Sequence, residues 1–260
     1  MNTTDCEMSP GYADKLLRLV LDVAEGMLCT GAEVSRVEDT VERILKAYGG
    51  VDVQIFSITS VIDGAVRMPN GEYSEQIRRV KHTENDLGRL EKYNALSRYI
   101  CANTPSLDEF EGMIKDVKES RSYSPWIIAM AEAVATSSFC LFFGGGINDA
   151  IIAALAGLVI SLVTGLRTNR LNSMAKTVIS AMVTTVIAEL SVKIGLGSNS
   201  GAIIIGAIML LVPGLAFGTA IKDLLCGDLI AGSLKTLQAC LMAVMIAFGY
   251  IVGMSLLGGV

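Results

Sequence analysis

The stretch Gly201–Ser233, GAIIIGAIMLLVPGLAFGTAIKDLLCGDLIAGS, limits what this chain can fold into more than any other. Its uncharged apolar start, Gly201–Phe217, reads as a helix of about 17 residues, near the lower limit for crossing about 30 Å of hydrocarbon. Pro213-Gly214 interrupts that helix, and Asp223 and Asp228 follow in a segment that is still mostly apolar. Inside a bilayer, irregular backbone survives only where it is buried in protein or lines a wet cavity. A carboxylate at membrane depth is costly enough to mark a functional site. Pro213 and Gly214 are therefore expected to open the helix so that backbone amides and carbonyls face a substrate. Asp223 and Asp228 would bind an ammonium group or gate the cytoplasmic mouth, whereas a dicarboxylate would turn to Lys222. The alternative is a tight turn between two helices with both aspartates in headgroup water, and Lys222 and Lys235 do mark a nearby membrane surface.

From Trp126 onward, 135 residues carry only six Lys or Arg and five Asp or Glu, against 15 basic and 21 acidic residues in the first 125. The first 125 residues thus carry a net charge of −6 and the remainder +1, which sum to −5. The fold class expected is a membrane all-α bundle of five transmembrane helices, residues 125–260, preceded by a soluble α+β cytoplasmic domain, residues 1–124. The lipid bilayer is a required partner. Nucleic acid is not, because no basic face or aromatic-basic stripe appears. The start of the chain shows no signal peptide, and its first ten residues are expected to be disordered. Six scattered cysteines lack CxxC spacing, so neither a metal site nor a disulfide is expected, and no cofactor is called for.

In the first half, Leu16, Leu17, Leu19, Val20, Val23, Ala24, Met27 and Leu28 form a helical stripe over Tyr12–Leu28, with Lys15, Arg18, Asp22 and Glu25 off it. Thr30-Gly31-Ala32-Glu33 fits a capping box for a second helix reaching to about Tyr48. Val51–Ser60, Val61–Met68 and Tyr73–Lys81 read as strands, with Pro69-Asn70-Gly71 a turn. Asp86–Ala102 and Ser106–Lys118 read as helices. The charged cluster of Glu33, Arg36, Glu38, Asp39, Glu42 and Arg43 is a solvated face with exposed ion pairs on spacing alone. The Glu38/Glu42 pair leaves acid–base chemistry open. His82 is the only histidine, and no GxSxG, P-loop or HExxH motif occurs, so the chain does not read as an enzyme.

Five spans are expected: Trp126–Phe143, Ile147–Leu166, Thr177–Ile194, Gly201–Phe217 and Leu234–Leu257. Lys115, Lys118 and Arg121 precede the first, and Arg167, Arg170 and Lys176 sit between the second and third. That distribution puts the N-terminal domain in the cytoplasm and the C-terminus outside, multi-pass in the cell membrane. Small residues recur every fourth position at Gly157/Ser161/Gly165, Ser198/Ala202/Gly206, Gly214/Gly218 and Gly249/Gly253, which favours a tightly packed bundle over a single anchor. Glu132 and Glu189 lie within spans. Glu132 has no sequence-local partner, and burial would suit it to proton coupling. Glu189 either does the same or pairs with Lys193, four residues on. Asn148 and Asp149 follow the triple glycine and would occupy the opposite mouth. An odd number of spans calls for a second membrane subunit or a homo-oligomer to complete a pathway.

With GAEVSRVEDTVERILKAYG at Gly31–Gly49, FFGGGINDA at Phe142–Ala150 and VPGLAFGTAIKDLLCGDLIAGSLK at Val212–Lys235, the chain resembles the threonine/serine exporter family, specifically its N-terminal-type subunit. The resemblance implies a secondary transporter subunit that exports small amino acids such as threonine and serine, driven by protons. Related split systems export dicarboxylates such as succinate with a smaller membrane partner. Fused members carry about ten spans, whereas this chain stops after five. By resemblance, Glu33, Arg36, Glu38 and Asp39 become candidate functional residues of the soluble domain. The rival reading is a membrane-anchored enzyme or ligand sensor that uses the soluble domain.

Overall fold

The computed structural model describes residues 11–81, 83, 85–120, 123–165 and 172–257. Expectations attached to residues 1–10, His82, Arg121, Arg167 and Arg170 lie outside the described residues. The chain divides into two compact units, one drawn from 1–122 and 215–236 and the other from 123–214 and 237–260.

The first unit is built on α1, Tyr12–Cys29. Eleven of its 18 residues are buried, more than the single stripe of a surface helix. The excess follows from its neighbours, since α1 touches a helix, two strands and two further helices. Helix α2, Val34–Ala47, buries Val37, Val41, Ile44 and Leu45 on one face. Strands β1 (Asp52–Ile58), β2 (Val61–Arg67) and β3 (Tyr73–Arg79) form an antiparallel meander in the order β1-β2-β3. Ile58 pairs with Val61, so a two-residue turn joins the first two strands. Gly71, at φ +88, lies in the turn between the second and third, a conformation that costs an L side chain. Helices α3 (Leu87–Asn103) and α4 (Leu107–Glu119) complete the shell. Tyr93 of α3 lies so close to Gly26 that a Cβ there would sit 2.2 Å from its ring.

The expected capping box at Thr30–Glu33 is not formed. Thr30 closes α1 instead, its hydroxyl donating to the Gly26 and Met27 carbonyls at 2.9 Å. Gly31 follows at φ +94, the left-handed turn that commonly ends a helix. Glu33 is the N-cap of α2 but makes no side-chain cap. A reciprocal capping box does occur at Ser106 and Glu109, which start α4.

The second unit contains α5 (Pro125–Phe142), α6 (Ile147–Gly165), α7 (Ser173–Lys193) and α8 (Ser200–Ile208). Small residues let their backbones touch. A Cβ on Gly206 would lie 2.7 Å from the Cys140 amide nitrogen, and one on Gly157 would lie 3.0 Å from the Glu132 carbonyl. At Gly214, Gly218 and Gly165 the same construction meets nothing within 4 Å, so those glycines lie in open space.

Two helices remain, α9 (Gly214–Cys226) and α10 (Leu229–Leu256). Gly227, at φ +95, turns the chain between them. Gly232 lets α10 approach α9, since its Cβ would fall 2.6 Å from Leu224 Cγ. Residues 237–256 of α10 belong to the second unit, where Gly249 and Gly253 sit on the Val178 and Met182 carbonyls of α7.

The fold is mostly helical with one small three-stranded sheet. Among the described residues four helices are long and apolar enough to cross a membrane: α5, α6, α7 and α10. The expected continuous span Gly201–Phe217 is not one of them. It is divided into α8, of nine residues, and α9, of 13. Pro213 explains the division, because its ring excludes the carbonyl of Met209 and it has no hydrogen to donate. Proline also disfavours the helical region for the preceding Val212. The last span starts five residues before the expected Leu234.

Candidate functional site

Asp223, Lys235 and Glu33, three charged residues of low exposure in the first unit, gather where α9, the first two turns of α10 and the start of α2 approach one another. The hairpin about Gly227 places Asp223 and Lys235 opposite each other. Asp223 is fully buried, and Lys235 keeps 15% of its side-chain surface exposed. The Lys235 ammonium donates to Asp223 Oδ2 at 2.7 Å and to the Ala32 carbonyl at 3.4 Å. Asp223 Oδ1 is buried with no hydrogen-bond partner, as is Asp228 Oδ2. One turn edge therefore holds two carboxylate oxygens with unused acceptor capacity beside a single neutralising ammonium.

Two carboxylates border the Asp223–Lys235 pair. Glu33, at the start of α2, pairs with Lys222 of α9 at 2.8 Å, so the lysine expected to meet a dicarboxylate is already engaged. Glu38 Oε1 accepts from the Ser57 amide at 2.6 Å and from its hydroxyl at 3.1 Å. Burial pushes the Glu38 carboxyl above the ordinary glutamate range. The two Ser57 bonds pull it back, and the charge of Asp228 adds to the rise. Arg36 and Asp39 are exposed on the outer side of α2, where Asp39 pairs with Arg43 at 2.8 Å. That part of the charged motif is the solvated face that its spacing suggests.

The remaining candidates lie in the second unit. Pro213 is half-buried and Gly214 exposed at the division between α8 and α9. Asp149 is 1% exposed and its carboxylate is occupied. Oδ1 accepts from the Ser198 and Asn199 amides at 2.7 and 3.3 Å, and Oδ2 from the Gly146 amide at 2.9 Å. It therefore staples the start of α6 to the loop before α8, while Asn148 beside it is exposed. Glu132 Oε2 is buried without a partner. Lys193 donates to the Leu257 carbonyl at 2.9 Å, and no ion pair joins it to Glu189 among the described residues.

Sequence reasoning missed Lys235 and Ser57 as site members. The signal for Lys235 was available: if Gly227-Asp228 is the turn of a tight helical hairpin, positions 223 and 235 fall opposite each other. No local signal marks Ser57, which reaches Glu38 through tertiary packing.

Residues 18–257 match the family described as "Putative threonine/serine exporter". The "Probable succinate transporter subunit YjjP" of Klebsiella aerogenes is 25% identical over 245 residues, 93% of each chain. The "Probable threonine/serine exporter" of Mycobacterium tuberculosis is 22% identical over 247 residues, 94% of this chain and 46% of its own. "Pheromone-regulated membrane protein 10" of Debaryomyces hansenii is 24% identical over 254 residues, 94% of this chain and 25% of its own. The chain thus spans nearly the whole of one relative but only about half and a quarter of the others. No solved structure matches it.

Proposed function

Because the chain belongs to the threonine/serine exporter family, we propose that it is a secondary transporter subunit moving small amino acids such as threonine and serine, or small dicarboxylates, out of the cell in exchange for protons. The observation that carries the reading is the fully buried Asp223, which shares one oxygen with Lys235 and leaves the other without a partner. An unpaired buried carboxylate oxygen is costly. The cost is offset if a ligand's ammonium, or a proton, visits it. Lys235 then acts as a resident counter-ion that holds the empty site closed. A dicarboxylate would instead draw Lys235 and Lys222 away from Asp223 and Glu33.

In this reading residues 1–124 form a cytoplasmic domain, residues 125–260 the transmembrane domain, and the C-terminus lies outside. Helix α10 supplies one crossing. Its 28 residues span about 42 Å at 1.5 Å per residue, whereas the 20 after Thr236 span about 30 Å, the thickness of the hydrocarbon core. Pro213 and Gly214 mark the break in the fifth expected crossing, with Asn148 and Asp149 near the opposite mouth. Glu132 carries the proton, with Glu189 as a second candidate. A second membrane subunit or another copy of this chain completes the pathway, in line with a relative named as a subunit. Two of the relatives are named as a transporter subunit and an exporter, which favours this reading over the enzyme or sensor one.

A flux assay in proteoliposomes tests this. The chain, alone and with its partner subunit, is given radiolabelled threonine, serine or succinate under an imposed pH gradient. Asp223→Asn is expected to abolish flux while the protein stays in the membrane. Unchanged efflux in that variant removes Asp223 from the mechanism.

A further inference from the structure

Helix α7 carries five buried hydroxyl side chains: Thr177, Ser180, Thr184, Thr185 and Ser191. Three of them satisfy themselves on their own helix. Thr177 donates to the Ser173 carbonyl at 3.1 Å, Thr185 to Ala181 at 2.8 Å and Ser191 to Ala188 at 2.7 Å. Ser180 and Thr184 do not. Each is 1% exposed, and each hydroxyl oxygen is buried without a hydrogen-bond partner. Back-bonding to a preceding carbonyl is the usual refuge of a helical hydroxyl. A buried hydroxyl left without any partner is destabilising.

The two residues are four apart, so they stand one above the other on a single face of α7. Two neighbours fix the direction of that face. Gly249 and Gly253 of α10 rest on Val178, Ala181, Met182 and Thr185, which is the other side of α7. Ala188, one turn beyond Thr184, packs with Ile152 and Ala153 of α6 and with Ala202 and Ile203 of α8. Ser180 and Thr184 therefore face α6 and α8, whose side chains there are alanines and isoleucines that offer no hydrogen-bonding group. A hydroxyl pair one helical turn apart, with Cβ atoms about 5–6 Å from each other, suits the two oxygens of one carboxylate.

We propose that Ser180 and Thr184 bind the carboxylate of the transported organic acid inside the second unit. This rests on the transporter reading and extends it, because it assigns the substrate group shared by amino acids and dicarboxylates to two named residues of the second unit. Each hydroxyl donates one hydrogen bond, and release needs no charge to be separated.

The test uses the full chain with its partner subunit in proteoliposomes. Wild type, Ser180→Ala, Thr184→Val, their double variant and Thr184→Ser are compared for KM and kcat on threonine and on succinate. Threoninamide, which lacks the carboxylate, is added as a competitor. A hydrogen bond to a charged group corresponds to about a ten-fold change in affinity. KM should therefore rise by about that factor in each single variant with kcat little changed, and threoninamide should become as good a competitor as threonine. Thr184→Ser, which keeps the hydroxyl, should retain the wild-type KM. Thermal unfolding of the purified variants should be unchanged or improved, because a destabilising group has been removed. Wild-type KM in the double variant, with flux still abolished by Asp223→Asn, overturns this inference alone and leaves buried water as the only occupant. If wild-type protein carries neither substrate, the transporter reading fails and this one falls with it.

Discussion

Neutralising Asp223 and Lys235 one at a time and together separates their electrostatic role from their role in transport. Asp223 is wholly buried and the Lys235 side chain is 15% exposed, so solvent does little to screen either charge once its partner is gone. Breaking a buried pair by removing one member typically costs about 3–5 kcal/mol, because an uncompensated charge stays behind. Asp223→Asn should fall near the lower figure, since Lys235 keeps the Ala32 carbonyl at 3.4 Å. Lys235→Met should fall near the upper one. It strands a carboxylate whose Oδ1 already lacks a partner. The double variant buries no unpaired charge and should lose only about 1 kcal/mol or less, so the coupling between the sites is several kcal/mol. Thermal or denaturant unfolding of the solubilised full chain gives the three stabilities, and the proteoliposome assay gives flux on the same samples. Single effects that add to within about 0.5 kcal/mol would refute the ion-pair reasoning. A double variant that is stable but inactive supports a substrate role, whereas one that exports normally reduces the pair to scaffolding.

Two further outcomes follow from the geometry. Glu38 holds its proton more tightly when folded, mainly through burial, so stability falls as pH rises from the ordinary glutamate value through the raised one. Glu38→Gln keeps an oxygen for the Ser57 amide and should flatten that fall, with a higher Tm than wild type at neutral pH and little difference in acid. An unaltered pH profile would count against it. Gly206→Ala would place a methyl 2.7 Å from a backbone nitrogen of α5 and should cost about 1–3 kcal/mol, whereas Gly218→Ala meets nothing and should gain about 0.5–1 kcal/mol. Melting curves that rank the two the other way would refute the packing account.

The sequence announces the α-helices and strands of the first unit because burial there follows the helix and strand periods. Val37, Val41 and Ile44 face inward at helical spacing, and Val61–Arg67 alternates as a half-buried strand should. It misleads at Thr30–Glu33, where the residues that could start α2 are used to finish α1. A hydroxyl followed by Gly31 serves a helix end as well as a beginning, and the left-handed glycine decides between them. In the membrane half, uniform hydropathy marks α5, α6 and α7 but hides where an apolar run stops being helical. The 17 apolar residues from Gly201 look continuous until Pro213 is given its effect on the preceding turn. The acids are legible as costly groups, but not their fates. Asp149 becomes a staple through three amides, while Asp223 meets a lysine across a hairpin. Ser180 and Thr184 look like ordinary helix residues until the satisfied hydroxyls around them are compared.

The contact of Gly249 and Gly253 with α7 has a mechanical corollary. Where two glycines lie this close to a neighbouring backbone, only the short Ala181 and Thr185 side chains stand between the helices, so this seam offers little alternative packing. These two rods are expected to travel as one stiff strut through any transport cycle. Flexing would then concentrate in the short joint of Met209–Pro213, where the hydrogen-bond ladder is already interrupted and bending costs least.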